Sequence, residues 1–420
     1  CQIFLGGYRL IQEWKDQKKN TTKKVFDQYT DAFFKENIST NEITMHFFLE
    51  NPEKYRLEQP KNLYPSMNQG SVLNEKIKIS KEIEKLKKFK QKELTKKQQN
   101  TYMVLMDYLR RQKNLSMYPY YERILGKTSG QQAQILLTLS EYRLKNEKDI
   151  KSYFQLLKGL DGYFDSLIEY SKEQVKRNLF LSDQSLKEVL QQIQNVIKQK
   201  ENNMLVATFN LRIADIKGIN AAQKKKYCRE NKKLIGTKVL PAYEKLYSHL
   251  QALNGNGKNE NGLYYYKNGK EYYKVLVAQK TGSDKTIEEM IEISDRSIEK
   301  CLRKLIKLQK KYPNIINEYR NHKKNIKIVQ NPQNILNKLR QKMVKYYPKA
   351  PKVSCKIKYV HKTMEEYTSP AFYMVPEIDS YKENVIYINK AQTAELYPTL
   401  AHEGYPGHLY QNVYYAARND

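Results

Sequence analysis

No window of about 18 apolar residues occurs in this chain, which excludes a membrane-spanning helix. Glycine and proline are scarce, 16 and 13 of 420 residues, which disfavours a glycine-rich β-sandwich and favours helix. None of the four cysteines, Cys1, Cys228, Cys301 and Cys355, forms a C-x-x-C pair, so neither a zinc knuckle nor a dithiol redox motif is readable. Four cysteines in this length are no disulfide scaffold either. Acidic residues are the minority, 45 against 75 basic ones, for a formal charge of +30. The Lys, Asn, Ile and Tyr excess runs along the whole chain. It therefore reads as a uniformly basic solvated surface rather than a nucleic-acid patch.

What is present is mostly helical pattern. Apolar residues recur at helical spacing in 26–40, 130–144, 148–174 and 176–250. Residues 74–112 read as one long helical tract, with Ile79, Ile83, Leu86 and Phe89 on one face and Glu-Lys pairs on the other. A polar loop follows at 254–262, and Asn268-Gly269 is a turn signal. Thr286 and Glu289 fit a capping box that opens a helix over about 287–310, closed by Tyr312-Pro313. Another helix covers about 331–346. The pattern then changes. Residues 352–360 alternate Val353, Cys355, Ile357 and Tyr359 with polar residues, as a half-buried strand does. Two further β-prone runs cover 371–375 and 384–388, and "QTAELYPTLAHE" is helical again. The expectation is a mainly α fold in which a small β-sheet precedes a bulged active-site helix. Its parts are an N-terminal segment, 1–20, a helical region, 21–350, and the sheet with that helix, 351–420.

The stretch "HEGYPGH", 402–408, carries the chemistry. In a zinc-peptidase helix, two histidines four residues apart share one ion, and the glutamate after the first takes a proton from water. Here the histidines are six apart, about 240° around an ideal helix. Pro406 lies four residues after His402, so it cannot donate to that carbonyl. Gly404 and Gly407 can take the backbone angles of a bulge. With two residues looped out, His408 returns to the place of the second ligand. The plainer reading is that Pro and Gly end the helix and the histidines decorate a loop. Against it stand Glu403 beside the first histidine, the preceding strands, and the helical spacing resumed in "HLYQNVYYAA".

"HEGYPGHLYQ" resembles the His-Glu-Gly-x-Pro-Gly-His-x-x-Gln signature of the bacterial family catalogued as domain of unknown function 885. That family is grouped with the zinc metallopeptidases of the thermolysin-like clan. The stretches "TMHFFLENPEKY", "ILGKTSGQQAQ", "LPAYEKLYSHLQAL" and "GLYYYKNGKEYYKVLVAQKTGS" resemble it too. The resemblance implies one zinc ion, with His402 and His408 as ligands, Glu403 as general base and then proton donor, and a peptide or protein as substrate. It implies a third, carboxylate ligand on a later helix. That ligand is expected beyond Asp420, since the chain stops in helical pattern at "VYYAARND". Gln411 belongs to the signature and is expected to support the ligands. In the clan an edge strand pairs with extended substrate, and 384–390, including Asn389, is the candidate; a buried packing strand is the equal alternative. Tyr373 is a candidate donor to an oxyanion.

Other candidates are weaker. "GKTSG", 126–130, lacks the phosphate-loop glycine at 121, where Tyr121 stands. His46, His249, His322 and His361 lie apart and read as surface or packing residues, and Cys228, Cys301 and Cys355 as packing residues. Cys1 is readable as the lipid-bearing residue of an extracytoplasmic lipoprotein, the one expected membrane link; a cytoplasmic location is the alternative. Two other functions stay open, a catalytically inactive cell-surface binding protein and a basic nucleic-acid-binding protein.

Overall fold

The computed structural model describes residues 2–127, 129–200, 203–257, 260, 262–318, 321, 331–362, 365, 368–392 and 396–419. Cys1, Thr128 and His322 lie outside the described residues. The chain runs through α1 (Gln2–Ile38), α2 (Glu42–Phe48), α3 (Gln69–Lys87), α4 (Lys96–Leu115), α5 (Gln131–Glu141) and α6 (Glu147–Lys176). It continues through α7 (Asp183–Lys198), α8 (Met204–Ala214), α9 (Ala221–Leu234), α10 (Leu240–Gln251), α11 (Gly269–Thr281), α12 (Ile287–Lys311) and α13 (Pro332–Met343). Three strands follow, β1 (Ser354–Tyr359), β2 (Ala371–Met374) and β3 (Glu383–Ile388). Helices α14 (Leu396–Glu403) and α15 (His408–Asn419) end the described chain. The fold is thus mainly helical with one small sheet, as the sequence pattern implies. Among the described residues no helix is long and apolar enough to cross a membrane.

The main core surrounds α6. Its amphipathic face buries Leu156, Leu157, Leu160, Phe164 and Leu167 completely, and the helix packs against α10, α9 and the turn between them. Asn146 and Asp149 form the capping box that starts this helix. Between α9 and α10 the helix widens into a π-turn, Ile235–Val239, just before Pro241. Proline has no N–H to donate to the residue four back, and the wider turn absorbs that missing bond. A second core joins α1, α3 and α4 through Phe26, Ile79, Ile83, Leu86, Tyr102 and Leu109.

The long tract expected over 74–112 is two helices. α3 stops at Lys87, a 3-10 turn covers Gln91–Glu93, and Thr95 with Gln98 opens α4 by a capping box. Phe89 in the break turns back edge-on to Phe26, ring centroids 5.1 Å apart. The continuous run of Glu and Lys hid this reversal, because both helices carry the same charged outer face.

A third core belongs to the sheet. Strand order is β1-β3-β2, with β1 parallel and β2 antiparallel to β3. Helix α13 lays Ile335, Leu336, Leu339 and Met343 in one cluster with Ile386 and Ile388 of β3, Leu400, Leu409 and Val413. The boundary expected near residue 350 therefore falls inside a packed unit that begins by α13. The strands expected from alternation are present within a residue or two of their expected ends.

The sheet unit is fastened to the helical body by polar contacts. Asp379, between β2 and β3, accepts the N–H groups of Glu50 and Asn51 at 2.7 and 2.9 Å. Ile378 donates its N–H to the Phe48 carbonyl at 2.9 Å. Arg143 pairs with Glu377 and donates to the Leu49 carbonyl. Tyr387 of β3 donates its hydroxyl to Glu141 of α5.

His46 sits beside this junction as a packing residue. Its ring stacks on Tyr142, centroids 3.6 Å apart, and its Nε2 accepts the Arg143 N–H at 2.9 Å. Burial, with Arg143, Lys145 and Arg212 nearby, holds its pKa down at about 2. The folded value lies below the unfolded one of about 6.5, so this contribution to stability is present above pH 6.5 and is lost as pH falls towards 2. The slope is up to about 1.4 kcal/mol per pH unit below 6.5. Urea unfolding at a series of pH values should show this loss, and His46→Gln should flatten the curve between pH 6.5 and 4. An unchanged slope in that variant contradicts a buried neutral His46.

Candidate metal centre

Helix α14 places His402 and Glu403 in its last turn, which the Gly404 N–H closes on the Leu400 carbonyl at 2.9 Å. The chain then leaves helical geometry. Residues 404–407 form a turn with a cis Tyr405-Pro406 bond. Helix α15 resumes at His408. The Tyr410 N–H reaches back six residues to the Gly404 carbonyl at 3.1 Å. An α-helix would reach back four, so two extra residues are accommodated inside one ring. The next bond, Gln411 N–H to the Gly407 carbonyl at 3.0 Å, is helical again. The expected bulged helix is therefore a break between two helices, with the two-residue excess confined to it.

The two glycines serve space rather than unusual angles. Neither lies in the positive-φ region. A Cβ on Gly407 would stand 1.6 Å from the His402 carbonyl oxygen, and one on Gly404 would meet Leu336 at 2.4 Å and the Leu400 carbonyl oxygen at 2.8 Å. Only glycine lets the returning chain lie against the helix it has just left.

This turn brings the histidines together. Nε2 of His402 and Nε2 of His408 are 3.1 Å apart, with the rings nearly perpendicular at 81°. Oε1 of Glu403 lies 3.9 Å from His402 Nε2. One donor atom from each of the three residues falls within 4.8 Å of the others. The imidazole of His402 is 68% exposed, whereas the Glu403 side chain is only 13% exposed. Glu403 is fixed at its other oxygen. Oε2 accepts the main-chain N–H of Tyr373 at 2.9 Å. This N–H lies on the side of β2 turned away from β3, so the strand braces the carboxylate.

The cluster opens on a cleft of about 630 Å³. Its walls are Ser369 to Tyr373 and Val375 on one side and Pro398, Thr399 and Asn412 on the other. Asn412 donates to the His408 carbonyl at 2.9 Å. Nothing in the motif points to Asn412, although its place four residues after His408 puts it on the same helix face.

Several expected residues stand elsewhere. The Tyr373 hydroxyl is buried and donates to Asn384 Oδ1 at 2.7 Å. It does not face the cleft, so the oxyanion role is not open to it; its main chain is what touches the site. Asn389 is fully buried. Its amide donates to the carbonyls of Glu365 and Thr368 at 2.7 and 3.2 Å, and its oxygen accepts the Ala391 N–H. It bonds the loop before β2 and reaches neither His402, His408 nor the cleft. Gln411 is exposed on α15 and does not line the cleft. Strand β3 is the central strand of the described sheet, so of its two readings 384–390 is the buried packing strand and not a substrate-pairing edge; β2 is the edge at the cleft. His249 is exposed, and neither it, His46 nor His361 joins the cluster. Cys228 and Cys355 are half-buried, and burial raises the Cys355 thiol to about 11. Cys301, expected to pack, is exposed.

The chain belongs to the family described as Bacterial protein of unknown function (DUF885), which matches residues 58–420. No curated protein matches it. Among solved structures it is similar to one described as "the putative lipoprotein from Colwellia psychrerythraea", at 15% identity and a TM-score of 0.78. That match covers 96% of this chain and 73% of the other. At this identity the likeness is one of fold.

The geometry makes Gly407 the most sensitive position of the turn. Gly407→Ala should cost about 1–3 kcal/mol in denaturant unfolding, the range of an overpacked site. Gln411→Ala, at an exposed position, should stay within about 0.5 kcal/mol. Equal effects of the two would contradict the tight return against His402.

Proposed function

We propose that this member of the family is a zinc-dependent peptidase. The observation that carries this reading is the 3.1 Å approach of His402 Nε2 and His408 Nε2 beside the braced carboxylate of Glu403. Two nitrogens that each stand about 2.0–2.1 Å from a tetrahedral zinc are roughly 3.3 Å apart. The donor set therefore fits zinc, with His402 and His408 as the residues that would hold it. When bound, the ion supplies a Lewis acid that polarises a carbonyl and acidifies water.

The remaining work falls to this chain's own groups. Glu403, which lines the cleft beside the pair, would take a proton from an attacking water and return it to the leaving amine. The Tyr373 N–H at Oε2 keeps the carboxylate from turning away. Catalytic zinc sites hold three protein ligands and one open position. With Glu403 kept as base, the described residues supply two of the three. The edge strand β2 offers the main chain along which an extended peptide would lie. A lipid-anchored, extracytoplasmic location belongs to the same proposal and rests on the description of the Colwellia protein. Fatty-acid labelling of the full-length protein in its host tests it; an unlabelled, freely soluble product contradicts it.

Metal analysis and hydrolysis of a fluorogenic peptide pool, both on full-length protein, test the chemistry. The native protein should bind about one zinc, as a catalytic zinc site does. Glu403→Gln should keep that zinc and lose about 10²–10⁴-fold in kcat/KM. His402→Ala and His408→Ala should lose both. Full activity in Glu403→Gln would remove the general base from the account, and zinc retained by both histidine variants would remove the ligands.

A further inference from the structure

Helix α12 is amphipathic along its whole length, yet none of its residues is buried. Its foot is held firmly. Arg111 of α4 donates to the carbonyls of Ala278 and Gly282 at 3.0 and 3.2 Å and pairs with Asp284 at 3.1 Å. From there the helix runs 25 residues, about 37 Å at 1.5 Å per residue. Ile291, Ile298, Leu305 and Leu308 are each 46–56% exposed. An apolar stripe of this length facing water asks for a partner.

The spacing says what kind of partner. Ile287, Ile291, Ser294, Ile298, Cys301, Leu305, Leu308 and Tyr312 follow one another at alternating steps of four and three residues. That is a heptad seam sustained over about three and a half repeats, which seeks another helix. Charge says which way the second helix runs. The first half carries Glu288, Glu289, Glu292, Asp295 and Glu299 against the single Arg296. After Glu299 the helix is wholly basic, with Lys300, Arg303, Lys304, Lys307, Lys310 and Lys311. A parallel copy would set like charge beside like along the whole length. An antiparallel copy sets the acidic half of each beside the basic half of the other.

We propose that α12 is a dimerisation helix, paired antiparallel with α12 of a second copy of this chain about a two-fold axis between Glu299 and Lys300. In that register each seam residue meets a seam residue of the other class. Ile298 lies level with Cys301 of the second copy, Ser294 with Leu305, Ile291 with Leu308, and Ile287 with Tyr312. This is the self-complementary contact that two-fold symmetry requires. It is independent of the chemistry at His402.

Light scattering and sedimentation equilibrium of the full-length chain at tens of micromolar test the pairing. The expected particle has twice the chain mass. Leu305→Glu should halve it while leaving the thermal unfolding midpoint of the body unchanged, since α12 buries no side chain against that body. Orientation is read by disulfide trapping in a Cys301→Ser background. Proteins carrying Ile291→Cys and Leu308→Cys should cross-link when mixed, and neither should cross-link alone. A monomeric chain, a dimer indifferent to Leu305→Glu, or self-cross-linking of Ile291→Cys alone would each overturn the proposal. Vesicle binding through α12 without dimers, or a later segment of the same chain seated on the seam, would do the same.

Discussion

The site depends on one close contact, the return of the chain at Gly407 onto the carbonyl of His402. Everything chemical follows from it. The carbonyl loses its helical donor because Pro406 has none to give, and the space beside it admits no side chain. The chain instead closes a six-residue loop from Tyr410 to Gly404. That loop absorbs two residues, and the second histidine arrives beside the first. A six-residue spacing, unworkable on an ideal helix, is thereby converted into a pair of imidazoles within reach of one ion.

The carboxylate is governed from another direction. Glu403 projects from the last turn of α14 but is fixed by the edge strand β2, through a main-chain N–H. Strand β2 is in turn set by its ladder with β3. Helix α13 backs the same core, and Leu336 fills the space against Gly404. Helix, turn and strand thus converge on the three donor atoms, and the polar contacts of Asp379, Arg143 and Tyr387 tie the whole unit to the large helical body.

Much of this was legible in the sequence, and the parts that were not share a cause. Helical periodicity placed most helices, and the Thr286–Glu289 capping box marked the start of α12 to the residue. The alternation of Val353, Cys355, Ile357 and Tyr359 marked β1. The motif marked His402, Glu403 and His408 as residues that the Pro-Gly turn could bring together, and their donor atoms do lie within 4.8 Å of one another. Strand order was not legible, since β1 and β3 pair in parallel across an intervening strand and a sequence does not say which edge is covered. Hence 384–390 reads equally as an edge or as a buried packing strand, and it is the latter, at the centre of the described sheet. A tyrosine at 373 points to its hydroxyl, whereas the group beside Glu403 is its N–H, and main-chain groups carry no residue signature. Asn389 stood next to the right strand but is consumed in pinning a loop. The break between α3 and α4 hid inside an unbroken run of charge.

On the proposed function, the Gly404–Gly407 turn presents His402 and His408 to a single metal ion. Anomalous diffraction at the zinc edge, from crystals of the full-length protein grown with stoichiometric zinc, addresses it directly. One strong peak is expected about 2.0–2.1 Å from both Nε2 atoms. A peak elsewhere in the molecule, with the two imidazoles left in contact with each other, would contradict it.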